Sequence, residues 1–445
     1  MTIEICTVGG YNEVGKNMTA IRVDDEVVLI DMGLHLDPYI QYTDSDEVCD
    51  MSAAALTSIG AIPDIKLIQD WQKKVKAIIP THAHLDHVGA VPYLERKFDA
   101  PILCTPFTAE VLKAICADEK IKLKNKVKVL NVNSIYTLSD KITLEFVNAA
   151  HSTPQTVLVA IHTPYGVILY ASDFKFDSQP VIGKKTDMAQ LKRLGKKNVL
   201  CLICDGTRAG QAMKTPSEQV AREMLKDVML ATSSEGKAVV VTTFSSHIAR
   251  LKSIVEFGKK LNRKIVFLGR SLSKYVAAAE NAGIIKFSDD VELVKFGKHI
   301  RMKLKQIEKN PAKYLIVCTG HQGEQKAVLG KIVNGEFEFR FNKDDQIIFS
   351  CTVIPTPLNR SNRDILERNL RQHGVRIFKD LHASGHPSKE DCREIISLVK
   401  PKHIIPCHVD TAMATGLMDL ALEMGYTMGE QVHLMQNGQR FRVLE

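Results

Sequence analysis

The 445-residue chain has no apolar run approaching the roughly 18 residues that a membrane helix needs, so a membrane-spanning helix is excluded. Its first residues, MTIEICTVGGYNEVGKN, lack both a basic leader and a long apolar core, which argues against a secretory signal. No low-complexity tract, collagen period or heptad repeat is present, so the fibrous and disordered classes fall away. The ten cysteines are scattered and suggest neither a zinc ribbon nor a redox motif; they read as reduced, mostly buried thiols of a cytoplasmic protein. Neither sign of charge dominates. Lys and Arg number 59 against 51 Asp and Glu, and a net charge of +8 permits a polyanionic partner without establishing one. What is left is the composition of a soluble globule, 45% apolar and 25% charged, long enough for two domains or for one domain carrying an insertion.

Short apolar runs bounded by turns fill the first half: TIEICTVGG, MTAIRV, EVVLIDMG, VKAIIPT, APILCT, KITLEFVNAA, TVLVAIHT, GVILYASDF and VLCLICDGT. Their length and β-branched content predict strands. Residues 36–60 read as a surface excursion with some helix. Beyond Asp205 the texture changes to alternation. TPSEQVAREMLKDVMLATSSEG opens with a capping residue and runs on at helical spacing, and KAVVVTTFS, SHIARLKSIVEFGKKLN and KIVFLGR follow as strand, helix and strand. Such alternation predicts a parallel α/β layer over residues 208–371, inserted between 1–207 and 372–445.

The densest chemistry lies in THAHLDH, where His82, His84, Asp86 and His87 follow a strand-like run. Imidazole and carboxylate together are ligands for a borderline divalent ion. Asp31, His151, Asp173, Asp205 and His408 also stand each at the end of an apolar strand-like run. A lone His or Asp in that position is more often a cap. Strand ends on one edge of a sheet are neighbours, however, and five such residues beside a histidine-rich turn suggest convergence.

These residues resemble the motifs of a metallo-β-lactamase-fold nuclease of the β-CASP group. Asp31, THAHLDH, His151 and Asp173 match its first four motifs in order. Asp205 in CDGT, His386 in HASGHPS and His408 in PCHVD match its three later ones. Through GGYNEVGKNM, TFSSHIARL, LGRS, CTGHQGE and SGHPSKED the chain is most similar to ribonuclease J, and in ending soon after PCHVD it resembles the archaeal members.

The resemblance implies an αββα metallo-β-lactamase sandwich carrying an inserted β-CASP α/β domain, and two zinc ions per subunit. One would be held by His82, His84, His151 and Asp173, the other by Asp86, His87, His408 and a bridging Asp173, with Asp31 bracing the histidine turn from behind. His386 would protonate the leaving 3′ oxygen and Asp205 would orient it. Ser246, His247, Arg270, Thr319, Gly320, His382 and Ser384 would contact RNA phosphate, although His321 stands where bacterial relatives often have Ser. The implied activity is hydrolysis of single-stranded RNA by a cytoplasmic homodimer, 5′ to 3′ with a preference for a 5′ monophosphate. Internal cutting and small-molecule hydrolysis on the same scaffold are the alternatives. The basic run KFGKHIRMKLKQIEK reads first as a solvated helix face and second as an RNA contact.

Overall fold

The computed structural model describes residues 2–43, 49–354 and 356–444. They form two compact units. The first comprises Met1–Ser178, Gly183–Thr215 and Gly385–Glu445, the second Gln179–Ile182 and Pro216–Ser384. The first unit contributes β1 (Ile3–Gly9), β2 (Met18–Val23), β3 (Glu26–Ile30), β4 (Val75–Ile79), β5 (Ile102–Cys104) and β6 (Val127–Val129). It continues with β7 (Ile135–Thr137), β8 (Thr143–Asn148), β9 (Val157–Thr163), β10 (Gly166–Ala171) and β11 (Val199–Asp205). The second unit holds β12 (Val239–Thr242), β13 (Lys264–Leu268), β14 (Val291–Val294), β15 (Tyr314–Cys318), β16 (Gln346–Phe349) and β17 (Arg376–Phe378). The chain then returns to the first unit with β18 (His403–Cys407) and β19 (Arg440–Leu444).

The first unit is a sandwich of a seven-stranded sheet, β19-β1-β2-β3-β4-β5-β6, and a six-stranded sheet, β18-β11-β10-β9-β8-β7. Ile5, Ile21, Val28 and Ile79 of one sheet share a buried cluster with Phe146, Val159, Tyr170, Ile203 and Ile405 of the other. The second sheet covers its opposite face with the helices Met188–Leu194, Lys389–Val399 and Thr411–Glu423. Burial on both faces explains why β10 and β11 read as continuous apolar runs instead of alternating ones. The one C-x-x-C of the chain, Cys201 to Cys204, lies inside β11. Its two thiols belong to the cores on opposite faces of the sheet, so they are packing residues. Around the 36–60 excursion, helices occupy Leu36–Thr43 and Ala53–Ser58; residues 44–48 lie outside the described ones.

The second unit is a six-stranded sheet of order β14-β13-β15-β12-β16-β17 in which each pairing is parallel, as the strand–helix alternation predicts. It runs beyond residue 371 because Arg376–Phe378 completes the sheet against β16. The helix Glu218–Lys226 starts from Ser217, whose hydroxyl accepts from the Gln219 N–H.

Candidate metal centre

The chemistry-bearing residues of the first unit sit at carboxyl ends of strands. Asp31 follows β3, His82 follows β4, His151 follows β8, Asp173 follows β10, Asp205 ends β11 and His408 follows β18. Three of them, Asp31, Asp173 and His408, hold the left-handed backbone at φ 61°, 51° and 59°. Non-glycine residues there carry strain of order 1–3 kcal/mol, which persists only where surrounding contacts enforce it. The histidine turn Leu85–Val88 is fixed by backbone bonds. Met32 N donates to His87 O at 2.8 Å, Leu34 N to Leu85 O at 2.9 Å and Asn17 N to Asp86 O at 3.0 Å. This close docking needs Gly33, since a Cβ there would lie 1.6 Å from the Asp86 carbonyl oxygen.

Five imidazoles turn one nitrogen inward and engage the other outward, His84 with Nε2 at 3.3 Å from Ser152 Oγ. His82 Nδ1 lies 3.1 Å from Thr81 Oγ1, His151 Nδ1–H donates to the Gly385 carbonyl at 2.8 Å, and His87 Nδ1 meets Asp31 Oδ2 at 2.8 Å. His408 Nδ1 lies against the Asn17 amide, 2.8 Å from Nδ2 and 3.0 Å from Oδ1. Such outer bonds fix tautomer and ring orientation. Asp31 is itself pinned, accepting from Thr81 N at 2.8 Å, Thr81 Oγ1 at 3.0 Å and Tyr170 OH at 3.2 Å.

The inward atoms form two groups, His82, His84, His151 and Asp173, and then Asp86, His87 and His408. In the first, His84 Nδ1 stands 3.1 Å from both His82 Nε2 and His151 Nε2, and Asp173 Oδ2 stands 3.4 and 3.5 Å from those two nitrogens. Ligands about 2.0–2.1 Å from a tetrahedral ion are separated by about 3.3 Å, so the spacing suits one divalent cation. With their Nδ1 atoms engaged outward, His82 and His151 turn lone pairs inward, and His84 can donate to only one of them. Asp173 Oδ2 is buried without a hydrogen-bond partner. Lone pairs converging on an orphaned carboxylate oxygen are a donor set that a cation satisfies and a hydrogen-bond network does not. In the second group Asp173 presents its other oxygen. Oδ1 lies 3.3 Å from His87 Nε2 and 3.9 Å from His408 Nε2, while Asp86 Oδ2 lies 3.7 and 3.6 Å from the same nitrogens.

In the first group the electrostatics agree with that reading. Burial, followed by neighbouring imidazoles, holds His84 well below the ordinary histidine range, and burial lowers His82 and His151 as well. Burial opposes charge on Asp173, yet His87, His408 and His386 keep its carboxyl well below the usual value. Neutral imidazoles facing an ionised carboxylate are the protonation states that metal binding requires. Burial also opposes charge on His87, but Asp173, Asp31 and Asp86 outweigh it and raise the group well above its ordinary value.

His386 stands beside the two groups with its side chain 28% exposed. Its Nδ1 pairs with Asp205 Oδ2 at 2.8 Å, and the other Asp205 oxygen accepts from Thr207 N and Oγ1 at 2.8 and 2.7 Å. Burial is the largest influence on His386 and opposes its charge, but Asp173 and Asp205 raise it to about 9. Gly385 brings this loop against His151; a Cβ there would lie 2.5 Å from the ring.

Matches to known families cover most of the chain. Residues 11–229 match the Metallo-beta-lactamase superfamily, residues 236–366 the description "Ribonuclease J, beta-CASP domain", and residues 375–434 "Zn-dependent metallo-hydrolase RNA specificity domain". The chain is 43% identical to Ribonuclease J of Methanocaldococcus jannaschii, over 99% of this chain and 98% of the relative. The chain belongs to the ribonuclease J family. It is similarly 42% identical to Ribonuclease J of Pyrococcus abyssi, covering 98% and 96% of the two chains. Against Ribonuclease J 1 of Streptococcus pyogenes it is 30% identical over 98% of its own length and 73% of the relative's. A crystal structure of a protein of unknown function from Enterococcus faecalis shares the fold at a TM-score of 0.66 and 16% identity, covering 99% of this chain and 100% of that one. The fold is thus the metallo-β-lactamase sandwich with a β-CASP insert that the motifs implied.

The ribonuclease J resemblance also named residues of the second unit, and their surroundings differ. Ser246 and His247 are buried just after β12. His247 caps the helix Ile248–Lys260 by accepting from Arg250 N at 3.4 Å, and its Nε2 faces Glu218 Oε2 at 3.3 Å. Glu218 in turn grips Arg250 at 2.6 and 2.9 Å. Arg270 is exposed at the start of the helix Arg270–Asn281. Thr319 and Gly320 follow β15, with Gly320 at φ 116°, and His382 and Ser384 lie in the loop that ends the unit. His321 is buried with neither ring nitrogen hydrogen-bonded, edge-on to Phe244 at 4.1 Å between ring centres. The basic helix Gly297–Glu308 is a surface element, its Lys303 and Lys305 paired with Glu292 and Glu338. Sequence reasoning assigned no role to Asn17, whose Nδ2 donates to Asp86 O at 3.0 Å and lies 3.0 Å from His87 Nε2. It also passed over Ser172, which donates to Asp173 Oδ1 at 2.9 Å. Asn17 sat in plain view inside GGYNEVGKNM; Ser172 carried no signal.

Proposed function

We propose that this chain is a two-zinc ribonuclease that hydrolyses single-stranded RNA from 5′ to 3′ and prefers a 5′ monophosphate. The observation that carries the reading is Asp173, one carboxylate that offers Oδ2 to His82 and His151, in a group completed by His84, and Oδ1 to His87 and His408. The ribonuclease J relatives supply the substrate class. His82, His84, His151 and Asp173 would hold one ion, and Asp86, His87, His408 and Asp173 the other. When bound, two such ions supply Lewis acidity, polarising a phosphoryl oxygen and lowering the pKa of water toward neutrality.

The remaining work falls to the protein's own groups. His386, with Nδ1 committed to the Asp205 carboxylate, keeps Nε2 for the substrate, and that carboxylate favours its protonated form. It therefore holds a proton for the departing 3′ oxygen, a general-acid contribution of about 10²–10⁴-fold. Asp205 fixes the tautomer that makes this geometry available. Ser246, His247, Arg270, Thr319, Gly320, His382 and Ser384 are the proposed phosphate contacts of end selection. The family resemblance further implies a cytoplasmic homodimer, which sedimentation of the purified chain checks.

The test is a time course on one single-stranded RNA with matched 5′-monophosphate, 5′-triphosphate and 5′-hydroxyl ends, labelled at either end. Mononucleotide released at once from the 5′ label, fastest for the monophosphate, supports the reading. Discrete internal products regardless of the 5′ end would replace it with endonucleolytic cleavage.

A further inference from the structure

Residues 120–128, Lys-Ile-Lys-Leu-Lys-Asn-Lys-Val-Lys, place a lysine at every second position with no acidic residue among them. Lys122, Lys124, Lys126 and Lys128 are exposed, while Ile121, Leu123, Asn125 and Val127 between them are half-buried. This is the alternation of a segment with one wet face, which becomes regular strand at Val127–Val129. The segment is firmly seated. Buried Glu95 accepts from Lys124 N and Asn125 N at 2.9 Å each, and Asn125 Nδ2 donates to Glu95 O and Phe98 O at 2.8 and 2.9 Å. Ile102 N donates to Lys126 O at 2.9 Å, and β6 then pairs with β5.

Among the described residues none of these four ammonium groups joins an ion pair, whereas the other basic run, Gly297–Glu308, gives Lys303 and Lys305 to Glu292 and Glu338. Lys128 instead sits 4.1 Å over the Tyr136 ring, beside Val129 and Ile135, which are 51% and 65% exposed. Lysines on an edge strand also discourage edge-to-edge pairing, but that purpose does not require a seated row of unpaired charges. The row also has a direction. β6 runs parallel to β5 and β4, with Lys128 opposite Leu103 and Ile102 opposite Ile78, and the carboxyl end of β4 leads to His82. The strip therefore climbs toward the sheet edge that bears the metal-site residues, two strands or about 10 Å to the side of β4.

We propose that Lys122, Lys124, Lys126 and Lys128 form an exosite for the phosphodiester backbone of single-stranded RNA, holding strand outside the bond being cut. The inference rests on the ribonuclease reading for its choice of polyanion. An exposed row of ammonium groups without acidic partners suits a polyanion, and the exposed apolar neighbours suit unpaired bases.

The test compares the full chain with a variant carrying Lys→Gln at all four positions and a second carrying Lys→Arg. Affinity is read across a salt series with chelator present, for single strands of roughly thirty and roughly six nucleotides. For the longer RNA the Gln variant should lose about 0.7 from the salt slope per lysine, about 2–3 in all. Between 50 and 200 mM salt the unmodified chain then loses affinity by a factor on the order of tens more than the variant. The Arg variant should keep the slope, and the short RNA should bind all three alike. An unchanged slope for the longer RNA overturns the proposal, as does equal loss on both lengths. So does a change of oligomeric state with RNA binding intact, which would make the strip an edge guard. Cleavage of the short RNA with metal restored is a separate readout; its absence in every protein, with the slope difference intact, would sink the ribonuclease reading and leave the exosite standing.

Discussion

At the scale of single residues the metal centre depends on what each carboxylate faces. Asp173 is the shared group, so Asp173→Asn, which keeps the shape and removes the charge, should empty both groups. Bound zinc in the purified chain and cleavage of RNA should fall together, and normal zinc content in that variant would refute the shared-carboxylate geometry. Asp31 acts from behind through His87 and Thr81. Asp31→Asn should therefore weaken metal affinity about 10–100-fold without abolishing it, as a competitive chelator titration would show. Asp205→Asn separates the other function: zinc stays bound while cleavage slows by about 10²–10⁴-fold. Single-turnover rates at fixed metal content test it, and an unchanged rate would remove the acid role of His386. The His and Asp letters were legible because three histidines and an aspartate crowd into THAHLDH and the rest close apolar runs. The second layer was not legible. Thr81, Ser172, Thr207 and Asn17 are single polar letters whose partners are assembled only by folding, as Asn17 and His408 illustrate from opposite ends of the chain.

At the scale of elements, legibility followed burial. Strands buried on both faces announced themselves as apolar runs, whereas β6, β7, β14 and β17 went unread. All four lie at sheet edges, span three or four residues and leave part of their length exposed, so they carry neither a run nor an alternation long enough to register. One buried charge on β8 shows how such a sheet binds its helices. Glu145 accepts from His162 on β9 at 2.6 Å and from Gln190 and Arg193 of the helix Met188–Leu194 at 2.6 and 2.7 Å. The bond from His162, more than burial opposes, brings its carboxyl down from 4.5 to about 2. A folded pKa below the unfolded one contributes stability above the unfolded value and loses it as pH falls through the folded value. Glu145→Gln should then cost up to about 3 kcal/mol near neutrality, with the gap to the unmodified chain closing as pH drops from 4.5 toward 2. Urea midpoints measured across that range check the sign, and a gap that widened toward acid would contradict it.

At the scale of the whole molecule, the chain leaves the sandwich after Thr215 and returns at Gly385, yet β18 lies directly beside β11 and delivers His408 next to residues that closed long before. The interruption was visible as a change of texture near Asp205, but the pairing of β11 with β18 was not, since no local pattern encodes a partner so distant in sequence. The consequence is energetic. The first unit gathers inward-facing imidazoles, buried carboxylates and three left-handed backbone residues at one edge of the sandwich, from both sheets. Each raises the free energy of the ion-free fold, and a bound cation relieves the repulsion among lone pairs and carboxylates. Binding to the folded state alone stabilises it by mass action, about 2.7 kcal/mol at a free metal concentration about 100 times the dissociation constant. Zinc added at that excess to the chelated protein should raise the unfolding midpoint, and the Asp173→Asn chain should show no such rise. Because unfolded chains hold no preformed site, an equal rise in both proteins would mean that the ion binds elsewhere. The inward lone pairs would then need another partner, and the proposed two-ion chemistry would lose its structural basis.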